Sequence, residues 1–193
     1  MSSADLGRVF PIVDDPAERP RKVRRTVRVI LINDDDQTLL FEDSDPGVEG
    51  SRWWVQPGGG IDPGETPAQA AVREINEETG YVLDERDLIG PVAHRHVIHG
   101  YSDLVIDQDE TFYLARVRNF DVDISLHTEE EQLTLQQHRW WSREDLAHTD
   151  AQIWPVELVS LWKLADQPER WPLDLGDQEE STVPDVRAPR LSG

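Results

Sequence analysis

Apolar positions along this chain change period several times, and each change marks an element. Residues 26–32 form a β-branched, nearly continuous apolar run, 33–36 are polar turn formers and 37–42 are apolar again, which predicts an antiparallel hairpin. Residues 53–56 are a short strand running into Pro57 and three glycines. The period then becomes helical. Ala68, Ala71, Val72, Ile75 and Thr79 share a stripe, Thr66 with Gln69 makes a capping box, Pro67 takes the first turn and Gly80 supplies a left-handed stop, so the helix spans 67–79. Strands are expected again at 89–98, at 110–116 with Phe112 and Leu114 on one face, and at 138–142. Residues 100–109 read as a polar hairpin loop able to close over a ligand. Ser142 with Asp145 starts a short helix, and Leu158, Leu161, Trp162 and Ala165 make the core stripe of another over 155–165.

The flanks lack such order. Residues 1–20 read as an arm, 21–166 as one α/β domain, and 167–193 as a proline-rich, poorly ordered tail whose Trp171, Leu173 and Leu175 are its means of docking on the domain or on a partner. Residues 120–136, with five acids, are an excursion without a regular period.

Composition narrows the function. With 193 residues the chain can bury a sizeable core, and with no cysteine it has no disulfide framework, thiolate zinc site or cysteine nucleophile. There is no apolar run of membrane-spanning length and no signal-peptide pattern, so a cytoplasmic protein that engages no membrane is expected. The net charge of −20 argues against a nucleic-acid partner held by a basic surface. An anionic substrate needs metal ions and local basic residues to approach such a chain.

Glu74, Glu77 and Glu78 supply the reason for a metal. At spacing i, i+3 and i+4 they share a helix face, where like charges repel and the C-terminal end of the dipole disfavours anions. A solvated face would gain more from lysine. Crowded carboxylates suit a hard cation with oxygen ligands, Mg²⁺ or Mn²⁺. Against the acidic trend, residues 19–28 hold six basic side chains, read as an exposed strand edge or counter-ions for the surplus acid, with attraction of substrate phosphate by Arg28 as the functional alternative. Trp53 and Trp54 alternate in direction, so one is expected in the core and Trp54, with Gln56, is a candidate for the ligand. His94, His96 and His99 read as solvent-facing strand histidines rather than metal ligands, with His96 the candidate for touching substrate.

Gly59, Glu65, Arg73, Glu74, Ile75, Glu77, Glu78, Gly80 and Tyr81 fill the pattern G-x5-E-x7-R-E-U-x-E-E-x-G-U, with U a bulky hydrophobe. The chain therefore resembles the Nudix hydrolases, from roughly Arg24 to Ala165. That resemblance implies an α/β/α sandwich with a mixed β-sheet and a catalytic loop-helix-loop. It also implies a metal held by Glu74, Glu77, Glu78 and the Gly58 carbonyl, and Arg73 orienting a glutamate. A further glutamate outside the motif, Glu110, is the counterpart of one that binds metal or activates water in many members. The implied reaction is hydrolysis of a nucleoside diphosphate linked to a further group, nucleoside triphosphates and their oxidised forms being favoured. ADP-ribose or nucleotide-sugar hydrolysis and non-catalytic nucleotide sensing are the alternatives. Either a monomer or a homodimer satisfies this reading.

Overall fold

A computed structural model of the chain describes residues 12–125, 127, 134–135 and 137–187, and expectations that fall elsewhere, including most of the acidic excursion, lie outside the described residues. The strands are β1 (Arg21–Ile32), β2 (Gln37–Asp43), β3 (Trp53–Val55), β4 (Leu88–Gly100), β5 (Val105–Arg116), β6 (Gln137–Ser142), β7 (Ile153–Trp154) and β8 (Leu173–Glu179). The helices include α1 (Pro67–Thr79), α2 (Arg143–His148) and α3 (Leu158–Lys163). Among the described residues the strands join one mixed sheet in the order β7-β3-β2-β1-β5-β4-β8, with β6 on β2.

Alternation along β1 sorts its side chains into two layers. Val27, Val29 and Leu31 pack with Ala70, Ala71 and Ile75 of α1, while Ile30 and Ile32 pack with Leu158, Leu161 and Trp162 of α3. The sandwich expected from the sequence is thus present, and its core lies on both faces of the sheet.

β1 runs parallel to β5 over its whole length, from Arg21 beside Val105 to Ile32 beside Arg116. Its pairing with β2 is confined to Ile32 and Thr38. The rest of that edge is taken by the glycine loop, through Val27 N–H to the Gly59 carbonyl, Val29 N–H to the Pro57 carbonyl and Ile61 N–H to the Arg25 carbonyl, each 2.9 Å. A cleft forms where the strands part.

Two expectations are corrected. The polar segment 100–109 is mostly strand: β5 begins at Val105, and the turn closes with Tyr101 N–H on the Leu104 carbonyl at 2.9 Å. The charges that suggested a loop alternate along β5, and Gln108 and Glu110 turn inward to polar partners. Residues 167–187 are likewise no loose tail, because β8 pairs in parallel with β4, and Trp171, Leu173 and Leu175 do dock on the domain, at the α3 cluster. The arm is tied to it as well. Arg19, 1% exposed, donates to the carbonyls of Tyr101, Val183 and Pro184 at 2.6–2.8 Å.

Candidate active site

Local signals fix α1 where the sequence places it. Thr66 accepts from the Gln69 N–H, Gln69 accepts from the Thr66 N–H, and Gly80 adopts φ 73°. Its buried residues are Ala70, Ala71, Glu74, Ile75, Glu78 and Thr79. At about 100° per residue, Glu74 and Glu78 fall inside the arc from Ala70 to Thr79 rather than on a separate face. Two glutamates are therefore driven towards the interior, while the Glu77 side chain is half exposed.

The glycine loop receives them. Gly58 donates its N–H to Glu78 Oε2 at 2.7 Å. Gly58 has φ 141°, and a Cβ there would meet the Val27 carbonyl oxygen. At Gly59 a Cβ would sit 2.6 Å from the Glu74 carboxylate. Glycine is thus required at position 58 by both conformation and the Val27 backbone, whereas a side chain at position 59 would push the Glu74 carboxylate aside.

Arg73 organises the remaining carboxylates. It donates to both oxygens of Glu65 at 2.9 Å, to Glu74 at 2.8 Å, to Glu77 at 3.0 Å and to the Gly60 carbonyl at 2.8 Å. The hydrogen-bonded guanidinium holds Glu65 below the usual carboxylate range, and these acceptors raise Arg73 in turn. Among the described residues, no three acidic or imidazole side chains converge closely enough to make a metal site alone. The donor set still fits a hard cation, which keeps most of its waters and takes one or two carboxylates plus substrate phosphate. Glu74, Glu78 and Gly58 line one cleft of about 260 Å³.

The opposite wall is basic. Lys22, Arg24 and Arg28, spaced by even numbers on β1, line the cleft with Phe41, Asp43, Val55 and Gln56. Half of the basic run thus lines the same cleft as the glutamates, while Arg21 and Arg28 also act as the expected counter-ions, to Asp107 and Asp185 and to Glu110. Arg28 Nη1 also reaches the carbonyls of Gln56 at 3.2 Å and Gly58 at 3.3 Å. Gln56 is fully buried, with neither side-chain amide atom hydrogen-bonded. Asp43, absent from the sequence candidates, is pushed up to about 6 by burial.

Three candidates are placed elsewhere. Trp54 lies in the α3 core with its ring centroid 5.0 Å from that of Trp141, and Trp53 is stacked between Trp154 and Tyr101, so neither tryptophan faces the glutamates. Each ring is covered on its own sheet face, Trp54 by the α3 cluster and Trp53 by Trp154 and Tyr101. His96 lies 2.8 Å from Asp107 and 3.6 Å from Asp177, away from the cleft lining. Of its neighbours, His94 is exposed, but His99 is buried and correspondingly lowered to about 4. Glu110 is 1% exposed and has both oxygens engaged, one by Arg28 and Gln108, the other by Arg95 at 2.6 Å. Burial opposes its charge, yet the two arginines outweigh it and hold Glu110 at about 2. As placed, it is a structural anion and a poor proton acceptor.

A family model described as the NUDIX domain matches residues 22–162. Among curated proteins, an RNA pyrophosphohydrolase of Legionella pneumophila (strain Corby) is 32% identical over 102 residues, covering 49% of this chain and 55% of that protein. One of the same name from Sphingopyxis alaskensis is 30% identical over 138 residues, covering 67% and 82%. A putative 8-oxo-dGTP diphosphatase of Bacillus subtilis (strain 168) is 49% identical over 53 residues, 28% of this chain and 32% of that one. The chain thus spans about half the length of the Legionella relative. Among solved structures, a NUDIX-family hydrolase from Clostridium perfringens aligns with TM-score 0.54 and 19% identity over 75% of this chain and 97% of that one. A NUDIX hydrolase from Nitrosomonas europaea gives 0.51 and 23% over 79% and 94%, a likeness of fold.

Proposed function

Because the chain belongs to the Nudix family, by a domain match over residues 22–162, we propose that it is a metal-dependent pyrophosphohydrolase acting on nucleoside triphosphates or related 5′-polyphosphates. The observation that carries this reading is the two-walled cleft, with Glu74 and Glu78 on one side and Lys22, Arg24 and Arg28 on the other. Cations alone would bind phosphate without cutting it, and carboxylates alone would repel it. Facing each other, they suit a polyphosphate with its metal between them.

A divalent cation bound here supplies charge neutralisation and Lewis-acid polarisation at the phosphoanhydride. Glu74 and Glu78, with the Gly58 carbonyl, are the residues to hold it, joined by Glu77 from the half-exposed side of α1. Arg73 keeps Glu65, Glu74 and Glu77 fixed while the loop N–H of Gly58 does the same for Glu78. The β1 cations orient the phosphate chain. Glu74 or Glu78 takes the proton of the attacking water, since Glu110 is committed to arginines.

Relatives named for RNA pyrophosphohydrolysis and for 8-oxo-dGTP support the polyphosphate class and leave its nucleoside part to experiment. The test is phosphate, pyrophosphate and nucleotide release from nucleoside triphosphates, oxidised triphosphates, 5′-triphosphate RNA, ADP-ribose and nucleotide sugars, with Mg²⁺, with Mn²⁺ and with chelator. Chelator-sensitive turnover concentrated on a 5′-triphosphate is the expected result. Nucleotide binding with no turnover under any metal would replace the hydrolase with a sensor.

A further inference from the structure

The family match ends at residue 162, yet a chain of buried charges begins well beyond it. Glu180, just after β8, holds Arg95 through two hydrogen bonds of 2.7 and 2.8 Å. Arg95 Nε donates to Glu110 at 2.6 Å, and the other Glu110 oxygen accepts from Arg28 Nε at 3.1 Å. The signs alternate from Glu180 to Arg28. The two inner members are 4% and 1% exposed, and Glu180 is 8% exposed. Glu180 is itself fixed, its N–H on the Ile98 carbonyl at 3.0 Å and its own carbonyl accepting from His99 Nδ1 at 2.8 Å. At the far end Arg28 reaches the Gln56 and Gly58 carbonyls beside the glutamates.

Charges so deeply buried set one another's positions, because each is desolvated and its neighbour is its chief compensation. Arg95 satisfies Glu180, Gln178 and Glu110 together. Without the Glu180 carboxylate, Arg95 keeps one anion instead of two and draws Glu110 towards itself. Arg28 then loses the partner that holds its guanidinium against the glycine loop.

We propose that Glu180 is a positioning residue for the cleft, acting through Arg95 and Glu110 to aim Arg28 at the substrate's phosphates. This rests on the reading above, that Arg28 meets those phosphates. The segment carrying β8 is then part of the phosphate-binding apparatus, although it lies outside the family-matched region.

A double-mutant cycle with Glu180→Gln and Arg28→Gln tests it, read by calorimetric binding of inorganic pyrophosphate with Mn²⁺ and by kcat and KM on the best substrate. Glu180→Gln is expected to weaken pyrophosphate and raise KM about tenfold with kcat within about twofold, and to add nothing once Arg28 is replaced. Equal losses in both backgrounds, no loss in either, or a loss confined to kcat and thermal stability would overturn the proposal. Should Glu180→Gln fail to fold, Glu180→Asp, which keeps the charge but shortens its reach, takes its place in the cycle with the same criteria. Pyrophosphate coupling in a wild-type protein without turnover would sink the hydrolase and keep the relay. A wild-type protein that neither binds pyrophosphate nor turns over any substrate would end both.

Discussion

Gly58 gives its backbone N–H to Glu78 Oε2 at 2.7 Å, tying the glycine loop to a helix residue twenty positions later. The loop is also strapped to β1, so the carboxylate is positioned by the sheet as much as by its own helix. Replacing Gly58 by alanine would drive a Cβ into the Val27 carbonyl from a φ of 141°. Gly58→Ala should cost both folding stability and nearly all turnover. Gly59→Ala should separate the two, because the nearest atoms to its Cβ are those of the Glu74 carboxylate, leaving the melting temperature near wild type while kcat falls. Gly64 is the control, with a positive φ but open space around it. Its alanine variant should lose about 1 kcal/mol of stability and keep its kcat. Thermal melts beside turnover numbers decide among the three.

Removing charge from the helix without changing its shape probes the metal. Glu74→Gln, Glu77→Gln and Glu78→Gln should each lower turnover by about 10²–10³, as the loss of one electrostatic contact to the reacting group does in other enzymes. Glu77→Gln should barely move the melting temperature, since that side chain is half exposed and its contact to Arg73 is an i,i+4 surface pair. Wild-type activity in both Glu77→Gln and Glu78→Gln would place the chemistry elsewhere.

Arg73 offers a test of geometry against charge. Its planar fork serves Glu65 twice while reaching Glu74, Glu77 and Gly60, which a lysine ammonium cannot do. Arg73→Lys should therefore reduce kcat by about tenfold or more and shift the metal dependence to higher concentration. A lysine variant with wild-type metal titration would show that charge suffices.

Acid stability should follow the buried His99 and Glu110 and the partly buried Asp43, with opposing signs. His99 is lowered from 6.5 to about 4, so its unfolded form binds the extra proton and its contribution rises with pH across that window. Asp43 is raised from 3.8 to about 6, so its native form holds the extra proton and its contribution falls over nearly the same window. The two oppose each other. Wild-type stability should be nearly flat between about pH 4.5 and 6, and should fall as the pH goes below about 4.5, where Glu110, lowered from 4.5 to about 2, is protonated in the unfolded chain. Asp43→Asn should uncover the His99 slope, with stability rising from pH 4 to 6.5. Denaturant melts across pH settle it, and an unchanged flat profile in Asp43→Asn would rule out this pairing.

What the sequence made legible was local. The span of α1 follows from Thr66, Gln69, Pro67 and Gly80, all within hydrogen-bonding reach of the helix ends, and the glutamate spacing follows from helix geometry. The sites of Glu110 and Glu180 depend on contacts 82 and 85 residues away, for which no local pattern exists. An acid at a strand head looks the same whether it meets metal or arginine. Polarity misled in β5, where Asp107 and Gln108 read as loop formers although Arg21 and Arg24, far off in the sequence, partner them in a strand. Trp54 failed as a ligand candidate because alternation tells which neighbours share a face, but not which face is covered by α3.

Gln56 carries the last prediction. Its amide is completely buried on the cleft lining with neither the oxygen nor the nitrogen hydrogen-bonded within the protein. Burying such a group unsatisfied costs about 1–3 kcal/mol, so a role in folding does not account for it. A ligand that offers both a donor and an acceptor does, and a site built that way rejects analogues lacking either. Gln56→Leu should consequently be as stable as wild type or more so, yet lose discrimination between nucleotides that differ in hydrogen-bonding groups. Measuring kcat/KM for matched triphosphate pairs alongside the melting temperature tests both halves. A destabilised variant with unchanged selectivity would make Gln56 a packing residue instead.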